Sequence, residues 1–189
     1  MNTTLWASSN RVRCLLAFFI LLALATPLMS QSQVSIYGTV ATTNHGYTLN
    51  NGSLSNGGDH FGFGAGGTYN FPIQSRLTAG IDVRGGISPG STGGASGAVS
   101  FRVGFVPHRN LLRPYFQIGG GFVTSKVYSF GGSSQTVTAG SADLAFGLDV
   151  RITPSFDLRL IELEGAAGRS GSTGAGVGKL STGVVYHFL

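Results

Sequence analysis

The chain has 189 residues, a length that suits one domain. Only 10% of them are charged, against about 25% in ordinary soluble domains, while glycine occurs 31 times and the mean hydropathy is positive. Its formal charge of +5 comes from basic residues dispersed singly, which excludes the basic stripe of a nucleic-acid binder.

At the N-terminus Arg11 and Arg13 precede an apolar run, Cys14 to Ala25, that ends in Ala-Leu-Ala. A positive region, a short apolar stretch and small residues at a cleavage site predict a secretory signal peptide over 1–25, with cleavage after Ala25 or after Ser30. The run falls short of the ~20 residues of a membrane-spanning helix. Cys14, the single cysteine, would leave with the signal, so the mature chain would carry neither a disulfide nor a lipid-modified cysteine. Losing Arg11 and Arg13 leaves a formal charge of about +3. Residues 26–33 follow as a short segment, and 34–189 as the folded domain.

That domain reads as eight strands of period 2. Val34 to Thr42 is the first, and Asn44 to Asp59 the loop after it. Phe61 to Phe71 puts Phe61, Phe63, Ala65, Tyr69 and Phe71 on one face and mostly glycine on the other, as a narrow barrel needs if its interior must receive long side chains from opposite strands. Pro72 to Ser75 turns the chain. Leu77 to Arg84 is the third strand, Ser88 to Ser96 a Gly/Ser loop, and Val99 to Phe105 the fourth strand. Pro107 to Pro114 is the next turn. In the fifth strand Phe116, Ile118 and Phe122 share one face, with Tyr115, Gln117 and glycines on the other. A loop at Ser129 to Gln135, a sixth strand over Asp143 to Ile152 and a turn at Thr153 to Ser155 follow. In the seventh, Phe156 to Glu164, the alternation slips: a bulge near Leu160-Ile161 would send Glu162 and Glu164 inward and Ile161 and Leu163 outward. Gly165 to Gly176 reads as the last loop.

The last strand, Val177 to Leu189, sets Leu180, Thr182, Val184, Tyr186 and Phe188 on one face and Lys179, Ser181, Gly183, Val185 and His187 on the other. It is about as long as the 9–11 tilted residues that cross a bilayer, with aromatics at its end where an interfacial girdle belongs. The expected fold is all-β: an eight-stranded antiparallel transmembrane β-barrel.

Two stretches resemble a known family. Arg113-Pro114-Tyr115-Phe116-Gln117-Ile118-Gly119-Gly120-Gly121-Phe122 is similar to the Pro-Tyr then Gly-x-Gly segment of small outer-membrane barrels of the OmpA and opacity type. The ending Gly183-Val184-Val185-Tyr186-His187-Phe188-Leu189 resembles the C-terminal strand that the barrel assembly machinery recognises, with Leu180, Val184, Tyr186 and Phe188 as its signal residues. That family usually ends on Phe, whereas here Leu189 follows Phe188. The resemblance covers the whole mature chain and implies an outer-membrane protein without an appended periplasmic domain. It also implies a role in envelope integrity, adhesion or binding of external ligands. Three Pro-bearing turns against four Gly/Ser/Asn/Thr-rich loops assign both ends of the domain to the periplasm. Expected partners are outer-membrane lipid, lipopolysaccharide included, the assembly machinery and an unnamed extracellular ligand. The chain is expected to be a monomer without cofactor or nucleic acid.

Alternation places Asp82, Arg84, Arg102, Asp149, Arg151, Arg159, Glu162, Glu164 and Lys179 inside. The interior of an eight-stranded barrel is only wide enough for side chains to fill it, and charges held there must be paired. The expectation is an ion-pair plug, with a narrow diffusion channel as the alternative and a lipid-A-modifying enzyme behind it. An enzyme of that kind would need His, Ser and an acid together at the outer rim. His45 and His60 flank the first loop, and His108 and His187 belong to the periplasmic end. Their spacing suggests neither catalysis nor a metal site.

Overall fold

The computed structural model describes residues 33–48, 54–91, 93–106, 111–128, 134–170 and 173–188. The signal-peptide reading over 1–25, most of the 26–33 segment, Asn51-Gly52, His108, Arg109 and Leu189 lie outside them. The described residues form eight strands: β1 (Gln33–Thr48), β2 (Leu54–Gln74), β3 (Leu77–Ser88), β4 (Gly94–Phe105), β5 (Leu112–Tyr128), β6 (Ser134–Arg151), β7 (Phe156–Ser170) and β8 (Thr173–His187). Each pairs antiparallel with the next, and β8 pairs with β1 to close the barrel. One end, here the turn end, carries the β2–β3, β4–β5 and β6–β7 connections; the other is the loop end.

The polarity of this barrel is inverted relative to a soluble one. Phe61 is 58% exposed on the outside, whereas Arg159 is 0% exposed within. Val99, Phe101 and Phe105 of β4 point out while Ser100 and Arg102 between them are buried, and the other strands follow the same rule. An outward belt of Val, Ile, Leu and Phe is a surface for lipid, and closure leaves no strand edge unpaired within it. At the turn end the belt finishes in aromatics, with Tyr186 between Phe156 and Phe188 at ring separations of 5.0 Å each. Beyond the belt at the loop end the outward residues turn polar: Asn44 donates to Asp59 at 2.8 Å, and the hydroxyls of Thr124 and Thr138 meet at 3.2 Å.

Four boundaries differ from the sequence reading. Gly165 to Gly176 is not a loop, because β7 and β8 stay paired from Gly165↔Gly178 to Ser170↔Thr173, leaving only 171–172 as the connection. Likewise β6 begins at Ser134 rather than near Asp143, β1 and β2 run well into the Asn44 to Asp59 stretch, and Pro72 lies within β2 beside a bulge. Gly, Ala, Ser and Thr carry too little contrast in polarity for period 2 to show, yet their backbones pair as well as any. Among the described residues the loop end is therefore made of polar strand extensions.

The slip in β7 is a bulge. Arg159 pairs with Asp149 and Ile161 with Leu148 on β6, so Leu160 is the extra residue on that side. On β8, Arg159 pairs with Gly183 and Glu162 with Ser181. Leu160, Ile161 and Leu163 all face outward, and Glu162 and Glu164 face in. The bulge frees the Arg159 carbonyl from the ladder, and the Thr182 hydroxyl donates to it at 2.8 Å.

Candidate functional site: the charged lumen

Of the seven Asp and Glu in the chain, all but Asp59 are buried in the barrel. They meet basic residues in tiers. At the turn end, Arg113 Nη1 and His187 Nε2 approach Asp157 Oδ2 at 3.0 and 2.8 Å. Next, Asp149 takes Arg102 Nη2 on one oxygen at 2.9 Å and Arg159 Nε on the other at 3.1 Å. In the following tier Glu162 accepts from the Tyr115 hydroxyl at 2.6 Å and lies 3.3 Å from both Arg84 Nη1 and Arg159 Nη1. Asp82 accepts from Tyr37 at 2.9 Å, Thr68 at 2.8 Å and Arg84 Nε at 2.8 Å. Toward the loop end Glu164 bridges Arg84 and Lys179, each at 3.0 Å.

Two tyrosines tie the tiers together. Arg102 stacks over the Tyr115 ring at 3.6 Å, and Arg159 lies 4.2 Å from the Tyr37 ring centroid and 5.0 Å from that of Tyr115. A guanidinium over an aromatic face gains attraction when both are desolvated. Glycine makes the room, but from the neighbouring strand rather than the opposite one: Tyr37 pairs directly with Gly66 and Tyr115 with Gly147. A Cβ at either glycine would run into its tyrosine.

Asp82, Arg84, Arg102, Asp149, Arg159, Glu162, Glu164 and Lys179 thus belong to one contact network. Arg151 does not: it is exposed, because it is the last residue of β6, where the strand leaves the barrel. The sequence reading omitted Arg113, Asp143, Asp157 and His187 from the lumen set. Alternation carried the signal for all four, since Asp143 shares the parity of Asp149, Asp157 that of Arg159, His187 that of Lys179 and Arg113 that of Tyr115. Asp143 accepts from Ser100 at 2.8 Å, and no ion pair reaches it among the described residues. Gln117 is 0% exposed, with both amide atoms unpartnered among the described residues.

Small cavities lie beside these side chains among the described residues. A cavity of about 50 Å³ lies toward the turn end among Arg102, Arg113, Asp157 and His187, and one of about 10 Å³ lies toward the loop end beside His45 and Lys179. A single water needs about 10–15 Å³ of such space, so these hold isolated molecules rather than a column. A much larger concavity, about 560 Å³, opens outward on the apolar belt between Leu144, Phe146, Leu163 and Leu180, and its lining also takes in Asp59, Glu164 and Lys179. At the loop-end mouth Ser125 Oγ lies 3.1 Å from His45 Nδ1, a Ser–His contact. Among the described residues it lacks the third member of a triad, because none of them partners His45 Nε2.

No protein-family model and no curated protein matches the sequence. Solved structures do match the fold. Neisserial surface protein A aligns with a TM-score of 0.55 at 18% identity, covering 82% of this chain and 97% of that one. Ail, the attachment invasion locus protein of Yersinia pestis, solved with the heparin analogue sucrose octasulfate, gives 0.52 at 16%, covering 84% and 99%. The N-terminal β-barrel domain of Pseudomonas aeruginosa OprF gives 0.51 at 18%, covering 84% and 100%. The likeness is one of fold: this chain has the closed eight-stranded barrel of the small outer-membrane proteins, the architecture that its OmpA- and opacity-type resemblance implies.

Proposed function

We propose that the protein is an outer-membrane barrel with a closed lumen, serving envelope integrity or adhesion through its loop end rather than transport or catalysis. The observation that carries this reading is the set of charged contacts that cross the lumen, between β4 and β6 at Arg102–Asp149 and between β3 and β7 at Arg84–Glu164. Charges paired in this way fill the section through which a solute would pass. Export would use the 1–25 signal peptide, and insertion would use the β8 strand presented to the assembly machinery. The turn end would face the periplasm and the polar extensions the exterior, with lipopolysaccharide around the belt and a single chain as the functional unit. A narrow channel is the second reading, favoured by the unpartnered polar atoms of Gln117 and Asp143, which could bind water.

Fractionation of the producing cell tests the location, and epitope insertion tests the orientation. The protein should partition with the outer membrane and change gel mobility on boiling. A tag after Ser91, between β3 and β4, should be reachable on intact cells, and one at Ser75-Arg76 should not. A soluble periplasmic protein would overturn the reading, and exposure of the Ser75 tag alone would reverse the orientation.

A further inference from the structure

We propose that His45 and His60 supply two ligands of a divalent transition-metal site, for Cu²⁺ or Zn²⁺, at the loop-end mouth of the lumen. Fifteen residues apart in a hairpin, the two carry no metal-binding spacing in the sequence; the register brings them together. β1 and β2 pair regularly up to Asn44↔Asp59 and resume at Gly46↔Asn56, so His45 sits at an irregularity on β1. Opposite it, Gly58 adopts φ 84°, which suits glycine. His60 pairs across from Thr43, diagonal to His45, and the two rings stand 5.7 Å apart between centroids, tilted by 58°.

That separation fits a shared ion. With Zn–N bonds of ~2.0–2.1 Å, each ring centroid lies about 3.2 Å from the metal, and a tetrahedral angle places the two centroids about 5.2 Å apart. A slightly wider angle gives the observed spacing. His45 is also prepared as a ligand. It is 3% exposed, its Nδ1 lies 3.1 Å from Ser125 Oγ, and its Nε2 is buried without a hydrogen-bond partner among the described residues. If Nδ1–H donates to Ser125, Nε2 holds the lone pair, the way ligating histidines are commonly oriented by a group behind them. Left alone, that nitrogen would be a costly buried acceptor.

His60 is half-buried, and Gly90 makes room for its ring, since a Cβ there would stand 3.0 Å from Nδ1. Lys179, which lines the same small cavity as His45, is engaged by Glu164. No third His, Cys, Asp or Glu joins the pair among the described residues, so water completes the shell. Nitrogen donors without carboxylates select Cu²⁺ and Zn²⁺ over Mg²⁺ and Ca²⁺, and Cu²⁺ should bind the tighter.

The test uses the tag-free barrel refolded in detergent micelles, titrated with Cu²⁺, Zn²⁺ and Mg²⁺ by calorimetry, with the Cu²⁺ paramagnetic spectrum reporting the number of bound imidazole nitrogens. Expected are one equivalent of Cu²⁺ with two nitrogens, weaker Zn²⁺ binding at the same stoichiometry and no Mg²⁺ heat. His60→Ala, at a half-buried position, should retain the heat-dependent gel mobility of the folded barrel, lose one nitrogen and bind about 10-fold or more weakly. Ser125→Ala should keep both nitrogens yet weaken binding by roughly 10-fold. Full affinity in both His60→Ala and His45→Gln would overturn the site. So would absence of binding at micromolar metal, or binding that disappears with His187→Ala instead.

Discussion

Asp149 holds two guanidiniums at once, and this determines how the lumen should respond to truncation. Removing Arg102 leaves the carboxylate with Arg159, whereas removing Asp149 strands Arg102 and leaves Arg159 with Glu162 as its remaining carboxylate. Breaking a buried pair by deleting one partner costs about 3–5 kcal/mol. Asp149→Ala should therefore destabilise the barrel by about that much in urea titrations, Arg102→Ala by less, and the double variant should recover part of the Asp149→Ala loss because one orphaned charge is gone. Equal stability of all three would mean that water, not protein, solvates these groups. The tyrosine sockets are the other residue-scale feature. Gly147→Ala forces the Tyr115 ring away from its place beneath Arg102, so its unfolding midpoint should fall, and a second change of Tyr115→Phe should not restore it, since the clash is with the ring.

Among the elements, β7 and β8 carry the irregularity on which the inward carboxylates depend. Without the bulge, Leu160 and Glu162 would share one face; with it, Glu162 and Glu164 reach Arg84. Thr182 satisfies the carbonyl that the bulge releases. Thr182→Val should cost about 1–3 kcal/mol, the penalty of an acceptor left without a donor on the lipid-facing side, while Thr182→Ser should cost little. The bulge was legible in the sequence because Leu158, Leu160, Glu162 and Glu164 cannot sit on one lipid-facing row. Strand ends were not legible where glycine, serine and threonine hide the period, and Arg151 was misplaced because alternation says which way a side chain points but not where the strand leaves the barrel. The meeting of His45 with His60 was hidden for a third reason: it depends on hairpin register, which residue types alone do not encode.

At the scale of the molecule, the barrel separates two solvents that each strand reads alternately. The belt answers to lipid, so Phe146→Arg should cost about 2–4 kcal/mol if it lies near the bilayer midplane, measured by folding into vesicles. The lumen answers to itself. Its contacts Arg84–Glu162, Arg84–Glu164, Arg102–Asp149 and Arg113–Asp157 join strands that are not neighbours in the ladder, and the small cavities toward the two ends, among the described residues, hold a few waters at most. Conductance of the purified protein in planar bilayers tests this closure most directly. The wild type should show no steady current, and Asp149→Ala should lose stability without acquiring ion selectivity. A persistent, ion-selective current in the wild type, altered by Arg102→Ala while stability stays unchanged, would contradict the closed lumen.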